Sequence, residues 1–280
     1  MSLVDLHLHS TASDGLLSPA DLVARAAALG LSHIALTDHD TVAGLPEAAA
    51  AAARFPNLTL LPGVELSTDT DTGETHVLGY FIDTADAAFL AALERFRDSR
   101  LNRGRVMVDK LNGMGIDITW ERVKEIAGEA AVGRPHIAMA MLEKRYIEKF
   151  EDAFHGFIEH GGPAYAEREK MTPAEAVGLI LSARGLPVLA HPVTTGDPEG
   201  TVRTLKQAGL VGMEAYYHEN RPEETEAMLA LAERYELIVT GGSDFHGEGI
   251  AGGALGGTEV PVEAAERLIA RAGGSTETAG

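Results

Sequence analysis

Val4-Asp5-Leu6-His7-Leu8-His9 alternates apolar and polar side chains with a period of two, the spacing of a β-strand. His7 and His9 therefore share one face of that strand. Further β-rich runs fall at 34–37, 58–61, 76–81, 186–190, 212–216 and 237–240. Helical segments separate most of them. Ser18-Pro19-Ala20-Asp21 opens the first, with Ser as cap, Pro in the first turn and an acid behind it. Others are expected over 43–54, 198–208, 222–234 and 261–271. Strands alternating with helices predict an α/β protein built on a parallel sheet or barrel.

The alternation breaks between 86 and 185, where helices dominate: 87–114, 119–128, one beginning at Arg134-Pro135, and one opened by Thr172-Pro173-Ala174-Glu175. The expected organisation is a barrel formed by residues 1–85 and 186–272, a helical insertion over 86–185, and a frayed tail over 273–280.

The chain has 280 residues, 45% of them apolar, enough for a sizeable core. Without cysteine it has no disulfide, thiolate metal site or cysteine nucleophile. No apolar run is long enough to span a bilayer, and no signal-peptide pattern follows Met1, so a cytoplasmic protein is expected. A formal net charge of −19 argues against duplex DNA and anionic membranes as partners. Residues 95–149 depart from that balance, with 12 Lys and Arg against eight acids. Such a segment suits a small anionic ligand, or is a solvated helical face.

The placement of His, Asp and Glu carries the chemistry. His7 and His9 end the first strand and Asp14 follows in the next loop. Thr37-Asp38-His39-Asp40 closes the second strand and Gly63-Val64-Glu65 the third, while His76 begins the fourth. His191 and then Asp244 and His246 follow later strands. A single histidine at a strand end is commonly a structural hydrogen-bonder, and a single Asp a helix cap. Repetition at nearly every strand end instead marks the rim on which barrel enzymes assemble their sites. Imidazole and carboxylate without thiolate suit Zn²⁺, Mn²⁺ or Fe²⁺, and nine such residues are too many for one cation.

His7-Leu8-His9-Ser10, Thr37-Asp38-His39-Asp40, Gly63-Val64-Glu65, His76, His191-Pro192 and Ser243-Asp244-Phe245-His246 resemble, in order, the motifs of the PHP (polymerase and histidinol phosphatase) family. The resemblance implies a distorted seven-stranded (β/α) barrel with a helical subdomain over the active site. It implies two or three divalent cations, Mn²⁺ first and Zn²⁺ or Fe²⁺ as alternatives. His7, His9, Glu65 and Asp244 would hold one, Asp14, His39 and His246 a second, and Glu65, His76 and His191 a third. Gly133-Arg134-Pro135-His136 within the insertion resembles the TrpH/YciV-like branch. That implies a phosphoesterase acting on the 3′-phosphate of nucleoside 3′,5′-bisphosphates, and on short 5′-phosphorylated RNA.

Arg134 and His136 are then the leading candidates for contacts to phosphate, at a helix start whose free N–H groups favour an anion. Tyr217 and His218 follow a strand onto the same rim, His218 as a contact to phosphate or a proton donor. Arg100, Arg103 and Arg105 are candidates for a second phosphate, although positions 100 and 105 point differently on a helix. Asp38 and Asp40 are expected to orient His39. His33, His155, His160 and Trp120 read as structural or surface residues. Rival readings are a histidinol phosphate phosphatase, a metal-dependent amidohydrolase, and a non-catalytic module serving a polymerase.

Overall fold

The computed structural model describes residues 3–70, 73–128, 132–167, 171–249 and 252–274. In chain order the elements are β1 (Val4–Leu8), α1 (Pro19–Ala28), β2 (His33–Leu36), α2 (Leu45–Ala52), β3 (Thr59–Thr70) and β4 (Gly73–Tyr80). There follow α3 (Ala87–Gly113), α4 (Trp120–Ala127), α5 (Arg134–Glu143), α6 (Pro173–Ser182) and β5 (Leu186–Leu189). The chain continues through α7 (Pro198–Ala208), β6 (Gly212–Tyr217), α8 (Pro222–Arg234), β7 (Ile238–Gly242) and α9 (Val262–Gly274). Two compact units result, one of Met1–Leu90 with Met171–Gly280 and one of Ala91–Lys170.

Local chemistry sets the helix starts. Ser18 Oγ accepts from the Asp21 N–H at 3.1 Å. Thr172 and Glu175 exchange hydrogen bonds, the Thr172 N–H donating to Glu175 Oε2 at 2.7 Å and the Glu175 N–H to Thr172 Oγ1 at 3.2 Å. Each cap satisfies N–H groups that have no partner within the helix.

The seven strands of the first unit form one sheet in sequential order. A bridge between Leu8 and Phe245, with the His9 N–H donating to the Phe245 carbonyl at 3.0 Å, brings its two edges together into a nearly closed barrel. The sheet is mixed rather than wholly parallel, because β4 runs antiparallel to both β3 and β5. Thr70 pairs with Gly73, so only two residues join β3 to β4, too few for the crossover that a parallel strand requires. Strand β3 is also 12 residues long. Glu65 consequently lies within it, not beyond the end of a short strand at 58–61.

All of β1 is buried. Leu8 packs with Leu22, Val23 and Ala26 of α1 and Ala48 of α2, while Val4 and Leu6 join Ala264, Ala265 and Leu268 of α9. Burial of each large apolar side chain contributes about 1.5–3 kcal/mol, which offsets the cost of a polar interior. That interior contains Asp5, His7, His9, Glu65, Glu214 and Thr240, all inaccessible to solvent.

The helical unit has its own core of Met107, Val108, Leu111, Ile118, Val123, Ile137 and Met141. Trp120 packs against it, and a Cβ at Gly104 would lie 3.1 Å from its ring. No helix among the described residues is long and apolar enough to cross a membrane. Helix α9 continues to Gly274, and the rest of the expected frayed tail, 275–280, lies outside the described residues.

Candidate metal centre

Glu65 is the hub of the first unit's polar interior. Its Oε2 lies 3.1 Å from His7 Nε2, 3.2 Å from His9 Nε2 and 3.1 Å from His39 Nδ1. Its Oε1 lies 2.8 Å from His76 Nδ1 and 3.3 Å from His191 Nε2. Asp244 Oδ1 adds a second anion, 3.3 Å from His7 Nε2 and 3.1 Å from His9 Nε2. Asp14 faces His246 Nε2 at 3.4 Å, and His9 Nδ1 and His39 Nε2 each at 3.9 Å. All nine residues selected from the sequence as metal ligands are thus brought together.

Their donor atoms fall into three groups that could each hold an ion: His7, His9, Glu65 and Asp244; His9, Asp14, His39 and His246; and His39, Glu65 and His76. The first matches the set implied by the family resemblance. The second adds His9. The third has His39 in place of His191, which approaches Glu65 Oε1 instead.

The electrostatics follow from this crowding. Burial pushes the Glu65 carboxyl up, but His39, His7 and His76 outweigh it and hold the group well below the usual carboxylate range. Asp244 and Asp14 are likewise pushed up by burial and held well down by the imidazoles around them. Burial lowers His39 to about 3. His9 behaves oppositely: Asp244 and Glu65 overcome its burial and raise it to about 10. Three ionised carboxylates among imidazoles make a donor set for divalent cations.

Hydrogen bonding tests the fit. His7 Nε2, both ring nitrogens of His9, Glu65 Oε2, Asp244 Oδ1 and Asp14 Oδ1 are buried, yet none makes a hydrogen bond of acceptable geometry within the protein. Each such atom costs about 1–3 kcal/mol when left unsatisfied. Metal ions are the ligands that would satisfy all of these atoms together, so the residues fit the group.

Residues around the cluster hold its backbone. Asp5 accepts from the Ser243 N–H (2.9 Å), Ser243 Oγ (2.6 Å) and the Gly256 N–H (2.9 Å), tying β1 to the segment that bears Asp244. A Cβ at Gly242 would lie 2.5 Å from His7 Cβ, so only glycine lets β7 approach β1 this closely. Asp38 accepts from the Ser10 N–H (2.7 Å) and from the Ser10 and Ser13 hydroxyls, fixing the loop that leads to Asp14. Asp40 accepts from the Ser67 N–H at 2.9 Å. These bonds orient the chain around His39. Asp40 (φ 50°), His191 (φ 26°) and Asp244 (φ 52°) have positive φ, a strained conformation that clusters at functional sites.

The Tyr217 hydroxyl donates to Asp244 Oδ2 at 3.1 Å, which places this residue behind a candidate ligand. The His218 ring packs on that of Tyr217, with centroids 4.5 Å apart. Glu214, which sequence reading passed over, faces His7 Nδ1 at 3.3 Å and accepts from the His191 N–H at 2.9 Å.

Five further candidates, Arg100, Arg103, Arg105, Arg134 and His136, belong to the helical unit, and Arg105 is exposed. His136 Nδ1 accepts from the Gly133 N–H at 2.9 Å and so caps its own helix, α5. The Arg134 guanidinium lies 5.7 Å from the centre of the Phe154 ring, and that of Arg103, which is buried, 5.1 Å from Tyr165. The Arg100 side chain lies outside the described residues. His155 and His160 are exposed, and His33 starts β2 with its ring 2.9 Å from Ser32 Oγ, in keeping with their bland reading.

A nearly closed seven-stranded barrel with a carboxylate-bridged histidine cluster inside one end defines a metal-dependent barrel hydrolase. Residues 5–161 match the PHP domain. A 3′,5′-nucleoside bisphosphate phosphatase of Chromobacterium violaceum is 33% identical over 264 residues, covering 92% of each chain. The 5′-3′ exoribonuclease Rnm of Salmonella typhimurium is 34% identical over 254 residues, 87% of this chain and 85% of that one. A solved structure from Bifidobacterium adolescentis, described as a metal-dependent phosphoesterase, superposes with a TM-score of 0.86 at 32% identity, covering 96% of both chains. The chain belongs to the PHP domain family. It is a metal-dependent phosphoesterase.

Proposed function

We propose that this enzyme hydrolyses phosphate esters of nucleotides, with the 3′-phosphate of nucleoside 3′,5′-bisphosphates as its main target and short 5′-phosphorylated RNA as a second. The observation that carries the reading is Glu65, buried within 2.8–3.3 Å of five imidazoles. The substrate class is supported by relatives named for nucleoside bisphosphate and RNA hydrolysis. The Lys/Arg excess over 95–149 agrees with a ligand bearing two phosphates.

His7, His9, Glu65 and Asp244 would hold one cation, Asp14, His39 and His246 a second, and Glu65 with His76 and His191 a third. The nitrogen and oxygen donors suit Mn²⁺ first, then Zn²⁺ or Fe²⁺. Bound there, the cations supply Lewis acidity toward phosphoryl oxygens and activate water near neutral pH. The protein's own part is positioning. Glu65 and Asp244 fix the imidazoles about common anions, and Tyr217 holds Asp244. Arg134 offers a planar fork to phosphate, and His136 adds an N–H beside it. Arg100 and Arg103 are assigned to the second phosphate, and His218 to the leaving oxygen. The strongly acidic chain is suited to small cytoplasmic substrates rather than duplex DNA or membranes.

Phosphate release by the Mn²⁺-loaded enzyme tests the reading, using nucleoside 3′,5′-bisphosphate, nucleoside monophosphates, a short 5′-phosphorylated RNA and histidinol phosphate. The bisphosphate should be turned over with the highest kcat/KM, and chelation should abolish turnover. Hydrolysis of histidinol phosphate alone would refute the substrate assignment.

A further inference from the structure

Glu214 lies on β6, inaccessible to solvent, and belongs to none of the three donor groups. Its two oxygens nevertheless engage two candidate ligand residues, His7 on β1 and His191 just after β5. Oε1 and Oε2 lie 3.3 and 3.4 Å from His7 Nδ1, and Oε2 accepts from the His191 backbone N–H at 2.9 Å. The opposite nitrogen of His7, Nε2, and Nε2 of His191 both face Glu65. We propose that Glu214 is a positioning residue for the metal centre, its one carboxylate fixing the His7 ring and the His191 backbone so that both Nε2 atoms point at Glu65. This inference rests on the reading of the cluster as a metal site.

The chemistry requires an acceptor at this point. An imidazole that offers Nε2 to a cation carries its proton on Nδ1, and that N–H needs a partner that sets both tautomer and ring orientation. His191 needs one for a different reason. Its backbone is held at φ 26°, and its partly buried N–H has to be satisfied in that strained conformation. A carboxylate accepts at both oxygens, whereas an amide keeps one acceptor and places an NH₂ donor in the other position. Glu214→Gln keeps the shape but turns an NH₂ toward one of the two donors. Either the His191 N–H loses its acceptor, or His7 is driven to the tautomer whose Nε2 is protonated and cannot bind metal.

Full-length wild-type, Glu214→Gln and Glu214→Asp proteins are stripped with chelator and titrated with Mn²⁺ by calorimetry. Bound metal is counted by mass spectrometry, and melting temperatures are taken without and with Mn²⁺. Mn²⁺ should bind Glu214→Gln about 10–100-fold more weakly, with a smaller rise in melting temperature on loading, and turnover should recover at higher Mn²⁺. Glu214→Asp keeps the charge but is one methylene shorter. It should fall between the other two, and it supplies the same readout if the glutamine variant does not fold. Wild-type Mn²⁺ affinity in the folded variants, with only the metal-free melting temperature lowered, would overturn the proposal and leave the metal centre standing. Failure of both variants to fold would also overturn it, assigning Glu214 to folding. Absence of Mn²⁺ binding by the wild type would remove the metal reading and this inference with it.

Discussion

Glu65→Gln removes the anion on which five imidazoles converge. Glu65 belongs to two of the three donor groups, and the third, His9 with Asp14, His39 and His246, does not contain it. Bound Mn²⁺ should therefore fall from two or three ions per chain to one. Loss of a single preorganised electrostatic contact typically costs about 10²–10³ in kcat. Removing the carboxylate of two groups should exceed that, leaving kcat down by about 10³ or more. The metal-free protein should suffer too, because His7 and His9, both raised by the carboxylates beside them, lose a counter-charge. Breaking a buried pair costs about 3–5 kcal/mol. Asp244, 3.3 and 3.1 Å from the same nitrogens, remains and favours the lower figure. At roughly 2 °C per kcal/mol for a chain of this size, the metal-free melting temperature should drop by about 6 °C. Metal analysis, phosphate release and a melt in chelator measure the three quantities. A variant that retains all its ions, or whose kcat stays within about tenfold of wild type, refutes Glu65 as the bridge.

Asp14→Asn strikes the complementary group and should remove one ion while the Glu65-centred groups stay loaded; unchanged metal content would contradict the grouping. Gly242→Ala places a Cβ 2.5 Å from His7 Cβ and 2.6 Å from its backbone nitrogen, neither of which can swing away. It should cost about 1–3 kcal/mol of stability and weaken Mn²⁺ binding, so a wild-type melting temperature would count against the tight β1–β7 approach. Mn²⁺ binding at pH 7 should release at least about one proton, since metal displaces protons from its ligands and Asp244 and Glu65 raise His9 to about 10. The sign follows: binding weakens as pH falls. Calorimetry in two buffers of different ionisation enthalpy reads the release, and equal heats in both would defeat this expectation.

The nine clustered residues were legible because the chemistry of metal binding restricts them to a few residue types, and because they recur beside short β-rich runs. Glu214 was not. A single acid inside Gly212-Met213-Glu214-Ala215-Tyr216 looks like the polar half of an ordinary alternating strand. The signal lay in context, since strands flanked by helices are buried on both faces and an acid there must point into a polar interior. Asp5 is hidden in the same way, and its raised value, about 6 through burial, reflects that interior. The capping by His136 was hidden for a different reason. Its Nδ1 bonds the backbone three residues earlier, a local use that competes with any longer reach and leaves no trace in residue spacing.

Strand direction was the other illegible feature, and it explains the placement of Glu65 and His76. Alternation of strands and helices suggests a ligand at nearly every C-terminal strand end, with His76 instead at the start of its strand, and the structure makes Glu65 the seventh residue of β3 and His76 the fourth of β4. In the antiparallel register Glu65 pairs with Leu78 and Ser67 with His76. Paired side chains share a face, so Glu65 and His76 are diagonal neighbours on it, within reach of each other, and Nδ1 meets Oε1 at 2.8 Å. A parallel fourth strand would carry a histidine so near its start to the opposite end of the barrel. Reversal of β4 turns a residue early in its strand into one on the ligand-bearing rim, and the extension of β3 past Glu65 provides the partner that makes the hairpin.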